Sequence, residues 1–220
     1  MDEYAVLHQT NIIVHVCAGT IALLVGLIAL ATKKGKKWHL KSGRIFLWLL
    51  SIVILTGLLG VFVFKGNAFL IVITVLSGYN GYSGYRCLKT KSNLPQWQDI
   101  VAVVVGIAAG SYFLYYFKTI GMMWAPVIIY ASVGFLFFII SYDLLRYLIP
   151  RKKYKTLWLY EHIYKMIAAF TALLSAATGT VLPHYKPYSQ FLPSLLGTSF
   201  AIFAIIYTYR KRASLRLKSS

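Results

Sequence analysis

Long apolar runs dominate this chain, at roughly 8–31, 43–64, 67–87, 98–117, 123–147, 158–181 and 190–209. The hydrocarbon core of a bilayer is about 30 Å thick, so a helix needs about 20 apolar residues to cross it. Each run meets that length. None shows the alternation of a membrane barrel strand. The predicted fold is therefore all-α, a polytopic membrane protein built as one bundle of about seven transmembrane helices, with residues 1–220 forming a single domain. The connections are short, which makes successive helices antiparallel neighbours. Composition excludes a water-soluble alternative: 59% of residues are hydrophobic and only 13% charged, against about 25% charged in a soluble domain.

Lys and Arg fix the orientation. The first connection carries Lys33, Lys34, Lys36, Lys37, Lys41 and Arg44; the third Arg86, Lys89 and Lys91; the fifth Arg146, Arg151, Lys152, Lys153 and Lys155; the tail Arg210, Lys211, Arg212, Arg216 and Lys218. The opposite side carries only Lys65, Lys118 and Lys186, a split of nineteen to three, with Lys165 inside the sixth run. Basic residues collect on the cytoplasmic side, so the N-terminus lies outside, with Asp2 and Glu3, and the C-terminus in the cytoplasm. The start Met1-Asp2-Glu3-Tyr4 is acidic where a cleavable signal is basic, so the first run is expected to be retained as a helix. In a soluble protein a net charge of +18 would suggest nucleic acid. Here the basic residues punctuate apolar runs, and the partner they fit is anionic lipid headgroups on the cytoplasmic side, not nucleic acid. Trp38, Trp97, Trp124 and Trp158 fall near the interfaces, as an aromatic belt requires.

Small residues mark helix contacts, because close backbone approach drives association where lipid removes the hydrophobic incentive. Gly106 and Gly110 form a GxxxG, Gly78, Gly81 and Gly84 recur at every third residue, and Gly19, Ala22 and Gly26 share one stripe of the first helix. These glycines serve packing or make room for a flat cofactor. Cys17 and Cys87 have neither zinc-like spacing nor a disulfide framework. The chain contains no HExxH, GxSxG, Walker A or GxGxxG.

A series of motifs runs through the whole chain: His15-Val16-Cys17-Ala18-Gly19, Trp38-His39-Leu40-Lys41-Ser42-Gly43-Arg44, Ser83-Gly84-Tyr85-Arg86, Trp97-Gln98-Asp99, Asp143-Leu144-Leu145-Arg146, Trp158 to Met166, and Leu182-Pro183 followed by Phe191 to Gly197. With these the chain resembles an uncharacterised family of bacterial multi-pass membrane proteins, a domain of unknown function. The resemblance implies the same topology in a cell membrane, a bacterial inner membrane, and brings no established activity. It implies that His15, His39, Asp99, Asp143 and His162 belong to the family pattern.

Ionisable groups inside a membrane are costly and often functional. His15 lies about two turns inside the first helix, with His8 on the same face and Gly19 one turn below. It fits either a hydrogen bond to a neighbouring helix or a haem ligand, with the glycine admitting the porphyrin edge. His39, Asp99, Asp143 and His162 fall at one depth near the cytoplasmic ends of helices two, four, five and six, with Arg44, Arg86, Arg146 and Glu161 at a similar level. The four suit a divalent metal or acid–base work; equally they suit ion pairs and helix caps, Asp99 being favourable at a helix N-terminus. His184, beside Pro183 in the outer loop, faces the His15 side.

Three functional readings follow. The first is a non-enzymatic transport, assembly or binding component, which needs only packed helices and a basic inner face. The second is a small membrane redox protein binding b-type haem through histidines, with His15, His39 and His162 as candidate ligands. The third is a metal-dependent membrane enzyme using His39, Asp99, Asp143 and His162. The topology itself is directly testable. A reporter fused after Ser220 is expected to read as cytoplasmic in a bacterial inner membrane; a signal from the opposite side overturns both the odd helix count and the orientation.

Overall fold

The protein is described here from a computed structural model, for residues 3–66, 69–120 and 126–217. Asp2, Trp124 and Lys218 lie outside the described residues. The described chain forms seven α-helices and no strand: α1 (Glu3–Ala31), α2 (Lys37–Phe62), α3 (Phe69–Thr90), α4 (Trp97–Ile120), α5 (Pro126–Leu145), α6 (Arg151–Val181) and α7 (Tyr188–Leu217). Single 3₁₀ turns follow α5 (Arg146–Leu148) and α6 (Pro183–Tyr185). Several helices outrun their apolar runs. α2 begins at Lys37 and α6 at Arg151, and α7 continues to Leu217. Lys and Arg are good helix formers and reach from a helix end into water, so the helix continues where the apolar run stops.

Six of the seven helices are long and apolar enough to cross a membrane, and α3 is not among them. Its position explains the difference. α3 packs against α2, α4, α5 and α6, and α6 packs against α1, α3 and α7. α3 is thus enclosed by protein, and its Ser77, Asn80, Ser83 and Arg86 are all buried. Polar residues are tolerated at membrane depth when they face protein and not lipid. The α3–α6 pair forms the centre, with the α1–α2 hairpin on one side, α4–α5 on the other and α7 along α6.

Close approach at glycine draws the centre together. A Cβ at Gly81 would stand 2.7 Å from a Leu50 methyl on α2, and one at Gly106 2.7 Å from an Ile140 methyl on α5. On α1 the small face, Ala18, Ala22 and Gly26, is buried. The bulky face, with Ile13, Leu24 and Ile28, is about half exposed and meets lipid. The hairpins close at their ends. At the outer end Tyr4 donates to the Val63 carbonyl at 2.9 Å. At the inner end Lys34 donates to the Ala29 and Leu30 carbonyls, satisfying the last turn of α1. Asn93, in the α3–α4 connection, donates to the Arg146 and Ile149 carbonyls and ties that connection to the end of α5.

Candidate functional site

Two arrangements occupy the inner half of the bundle. The first is a buried network between α3, α5 and α6. Asp143 on α5 is paired with Lys165 on α6, and both are buried. Its other oxygen accepts from the Tyr79 and Ser83 hydroxyls of α3, each at 2.8 Å. Glu161, one turn before Lys165, accepts from Arg146 at 3.0 Å, Tyr154 at 2.8 Å and Tyr142 at 2.7 Å. Cys87 completes the ring, taking an N–H from Arg146 at 3.2 Å and giving its S–H to Glu161 at 3.0 Å. Two carboxylates face two cations, so the network is neutral. Both oxygens of each carboxylate are engaged, which leaves little to hold an added metal ion.

Asp99 is held separately. Its carboxylate takes a two-point contact from Arg86, at 2.8 and 3.1 Å, and accepts the Gln96 backbone N–H at 3.2 Å. It therefore caps the start of α4 and ties α4 to α3. The four-residue metal centre expected at this depth is not assembled. Among the described residues no three or more His, Cys, Asp or Glu stand together so as to hold a metal ion, because Asp99 and Asp143 turn to Arg86 and Lys165.

The two inner histidines face elsewhere. His39, in the first turn of α2, and His162, on α6, line one cavity of about 410 Å³ between α1, α2, α3 and α6. The Nδ1 of His39 lies 3.0 Å from the Ala29 carbonyl, and that of His162 2.9 Å from the Gly84 carbonyl. A carbonyl oxygen only accepts, so each Nδ1 carries the proton. The Nε2 of each ring makes no hydrogen bond among the described residues, and in the neutral form of the ring it carries the lone pair. A hydrogen bond from one ring nitrogen that fixes the lone pair on the other is the arrangement of a metal-ligating histidine. The walls are largely apolar, with Phe46, Met166 and Phe170, while Arg44 and Lys89 stand on the rim. Gly43, one turn beyond His39, lines the same cavity with nothing within 4 Å of the place a Cβ would take. A flat group can lie against that backbone.

The outer histidines do not form such a pair. His15 faces α2, where its Nδ1 is 2.8 Å from the Thr56 hydroxyl. That hydroxyl spends its own proton on the Ile52 carbonyl, so His15 donates and Thr56 accepts. His8 stacks on Phe64, ring centres 4.6 Å apart, and His184 stands exposed in the turn between α6 and α7. His15 is satisfied by one interhelical bond with α2. Lys165 is the residue whose importance sequence reasoning missed. The available signal was that it is the one Lys or Arg more than a turn from either end of an apolar run, with Glu161 four residues earlier on the same face.

Two measurements check these assignments. Lys165→Met removes the nearer of the two cations on Asp143, leaving Arg146 at 3.7 Å, and is expected to cost about 3 kcal/mol. The double variant with Asp143→Leu should recover most of that loss in a thermal or steric-trap unfolding experiment, and simple additivity of the two losses would refute a coupled buried pair. His15→Leu removes a single interhelical hydrogen bond and should insert normally with a loss of about 1–2 kcal/mol; a larger loss, or misinsertion, would show that His15 does more than bond Thr56.

No family model, curated protein or solved structure matches this chain.

Proposed function

We propose that this chain is a small haem protein of the cell membrane, holding one b-type haem between His39 and His162 near the cytoplasmic face. The observation that carries this reading is the pair of histidines in one cavity, each with Nδ1 donating to a backbone carbonyl and Nε2 without a hydrogen bond among the described residues. The remaining lining suits the same ligand. Apolar walls take a porphyrin, Gly43 lets its plane approach the backbone, and Arg44 and Lys89 offer cations to its two propionates at the basic end. His39 and His162 would hold the haem iron, and the group would supply one-electron transfer. The residues of this chain hold the ligand imidazoles in one tautomer and keep the plane in a largely apolar, water-poor setting, both of which tune such a group. A transport or assembly component would need none of these features. The buried ion network supports the fold in this reading and takes no part in the chemistry.

The test is a visible spectrum of protein purified after haem-replete expression. The expected result is a low-spin b-type spectrum with one haem per chain. His39→Ala and His162→Ala should each abolish or change it, while His15→Leu leaves it intact. Colourless wild-type protein, or a haem that survives both inner histidine substitutions, defeats the proposal.

A further inference from the structure

A pocket of about 440 Å³ opens at the basic end of the bundle, where the chain passes from the last turn of α3 to the first turn of α4. The connection makes it by turning sharply. Lys91 follows the end of α3 in the left-handed conformation, φ 49°. Thr90 donates to the Arg86 carbonyl at 2.9 Å, and the Leu94 N–H donates to the Ser92 hydroxyl oxygen at 3.2 Å. Leu94 is the one apolar residue of the lining, and no carboxylate belongs to it.

Unspent donors line this space. Arg86 is only 7% exposed. Its Nε and Nη2 meet the Asp99 carboxylate at 2.8 and 3.1 Å, and Nη2 also meets the Gln96 Oε1. A guanidinium carries five N–H groups, so the two on Nη1 are left. They make no hydrogen bond among the described residues, yet Nη1 is not sealed in the interior, and Arg86 lines the pocket. Gln96 turns its amide oxygen to Arg86, which leaves its NH2 group to donate. The Ser92 hydroxyl accepts from Leu94 and has no acceptor of its own among the described residues. Lys89 is exposed and makes no ion pair among them. Asp99, which offsets one of the two cations, has its oxygens occupied by Arg86 and the Gln96 N–H. The pocket therefore holds a surplus of donors, one unpaired positive charge and few free acceptors. Donors from four residues exceed what the two oxygens of a carboxylate use and suit a tetrahedral oxyanion. We infer that this pocket binds a phosphate group, with Arg86 Nη1 as its anchor and Lys89, Ser92 and Gln96 around it. Asp99 and Gln96 act as positioning residues, clamping the guanidinium on one edge so that its other end stays fixed. The phosphate can belong to a lipid headgroup or be free in solution, and the experiment separates the two.

The experiment is calorimetric titration of the full chain in dodecyl maltoside, with dioctanoyl phosphatidylglycerol as one probe and inorganic phosphate as the other. One saturable site per chain is expected. Binding of the lipid alone assigns the phosphate to a headgroup, and binding of inorganic phosphate assigns it to a soluble source. Gln98→Glu places a carboxylate on the pocket wall without breaking a side-chain hydrogen bond among the described residues. It should weaken binding about tenfold. Ser92→Asp keeps an acceptor for the Leu94 N–H and should weaken it as much. Lys33→Gln lowers the net charge by the same one unit, but in the connection between α1 and α2, and should leave affinity within about twofold. No saturable binding of either probe, equal weakening by Lys33→Gln and Gln98→Glu, or binding unmoved by both pocket variants overturns the inference.

Discussion

The ion pair between Lys165 and Asp143 is the contact on which the rest of the bundle depends. Each is a charge held away from water, and an isolated charge in a membrane interior costs several kcal/mol. The surrounding groups offset that cost only when every one is in place. Tyr79 and Ser83 must come from α3, Asp143 from α5, and Glu161 from the same face of α6. The network is therefore a geometric specification. Lipid provides no hydrophobic drive to sort helices by neighbour, and many arrangements of greasy helices would be close in energy. Two acids and two bases from the end of α5 and from α6, together with the Tyr79 and Ser83 hydroxyls and Cys87 of α3, have one good arrangement, and that arrangement places α3 at the centre.

The same two helices then build the histidine cavity, and their neighbouring faces divide the work. On α6, Glu161 and Lys165 look toward α5, whereas His162 and Met166, each one residue later, look toward α1 and α2. One residue is about 100° of rotation on a helix of 3.6 residues per turn. On α3, Ser83 bonds the network while the next residue, Gly84, gives its carbonyl to His162. Gly84 also has to be small, since a Cβ there would stand 3.1 Å from both Lys165 and Met166. The orientation of the His162 ring is thus inherited from the position of the ion network behind it.

Depth was legible in the sequence and azimuth was not. Runs of apolar residues specify how many helices there are and at what level along its helix each residue sits. They grouped His39, Asp99, Asp143 and His162 at one level, yet residues at one level can face in different directions. His39 and His162 share a cavity, while Asp99 faces Arg86 and Asp143 faces Lys165. Direction depends on which helices are neighbours, and hydropathy carries little of that information when a helix is apolar all round, as α4 and α5 are. Two departures from the apolar pattern did carry it. The polar, glycine-rich face of α3 marks the helix enclosed by others, and Lys165 marks the interior of α6. Helix ends were misplaced for another reason: lysine and arginine extend a helix beyond its apolar run, as at the starts of α2 and α6 and the end of α7.

The contrast between His15 and His39 shows why a buried histidine alone does not indicate a cofactor. Both give the Nδ1 proton to an acceptor on a neighbouring segment. His15 does so against a tightly packed α2, where a Cβ at Gly57 would lie 3.6 Å from its ring. His39 does so at the edge of an open cavity, with a second histidine in the same state on another wall. The two levels also differ in charge. The inner end carries nearly all the lysine and arginine of the chain, and Arg44 and Lys89 bring part of it to the cavity rim. On the haem reading this charge acts twice. It attracts anionic substituents to the rim, and it favours the reduced state, because reduction adds one negative charge and nearby cations stabilise it. The basic inner face that sets the topology is then also the field in which the proposed haem operates, and a histidine pair at the outer end would lack that field.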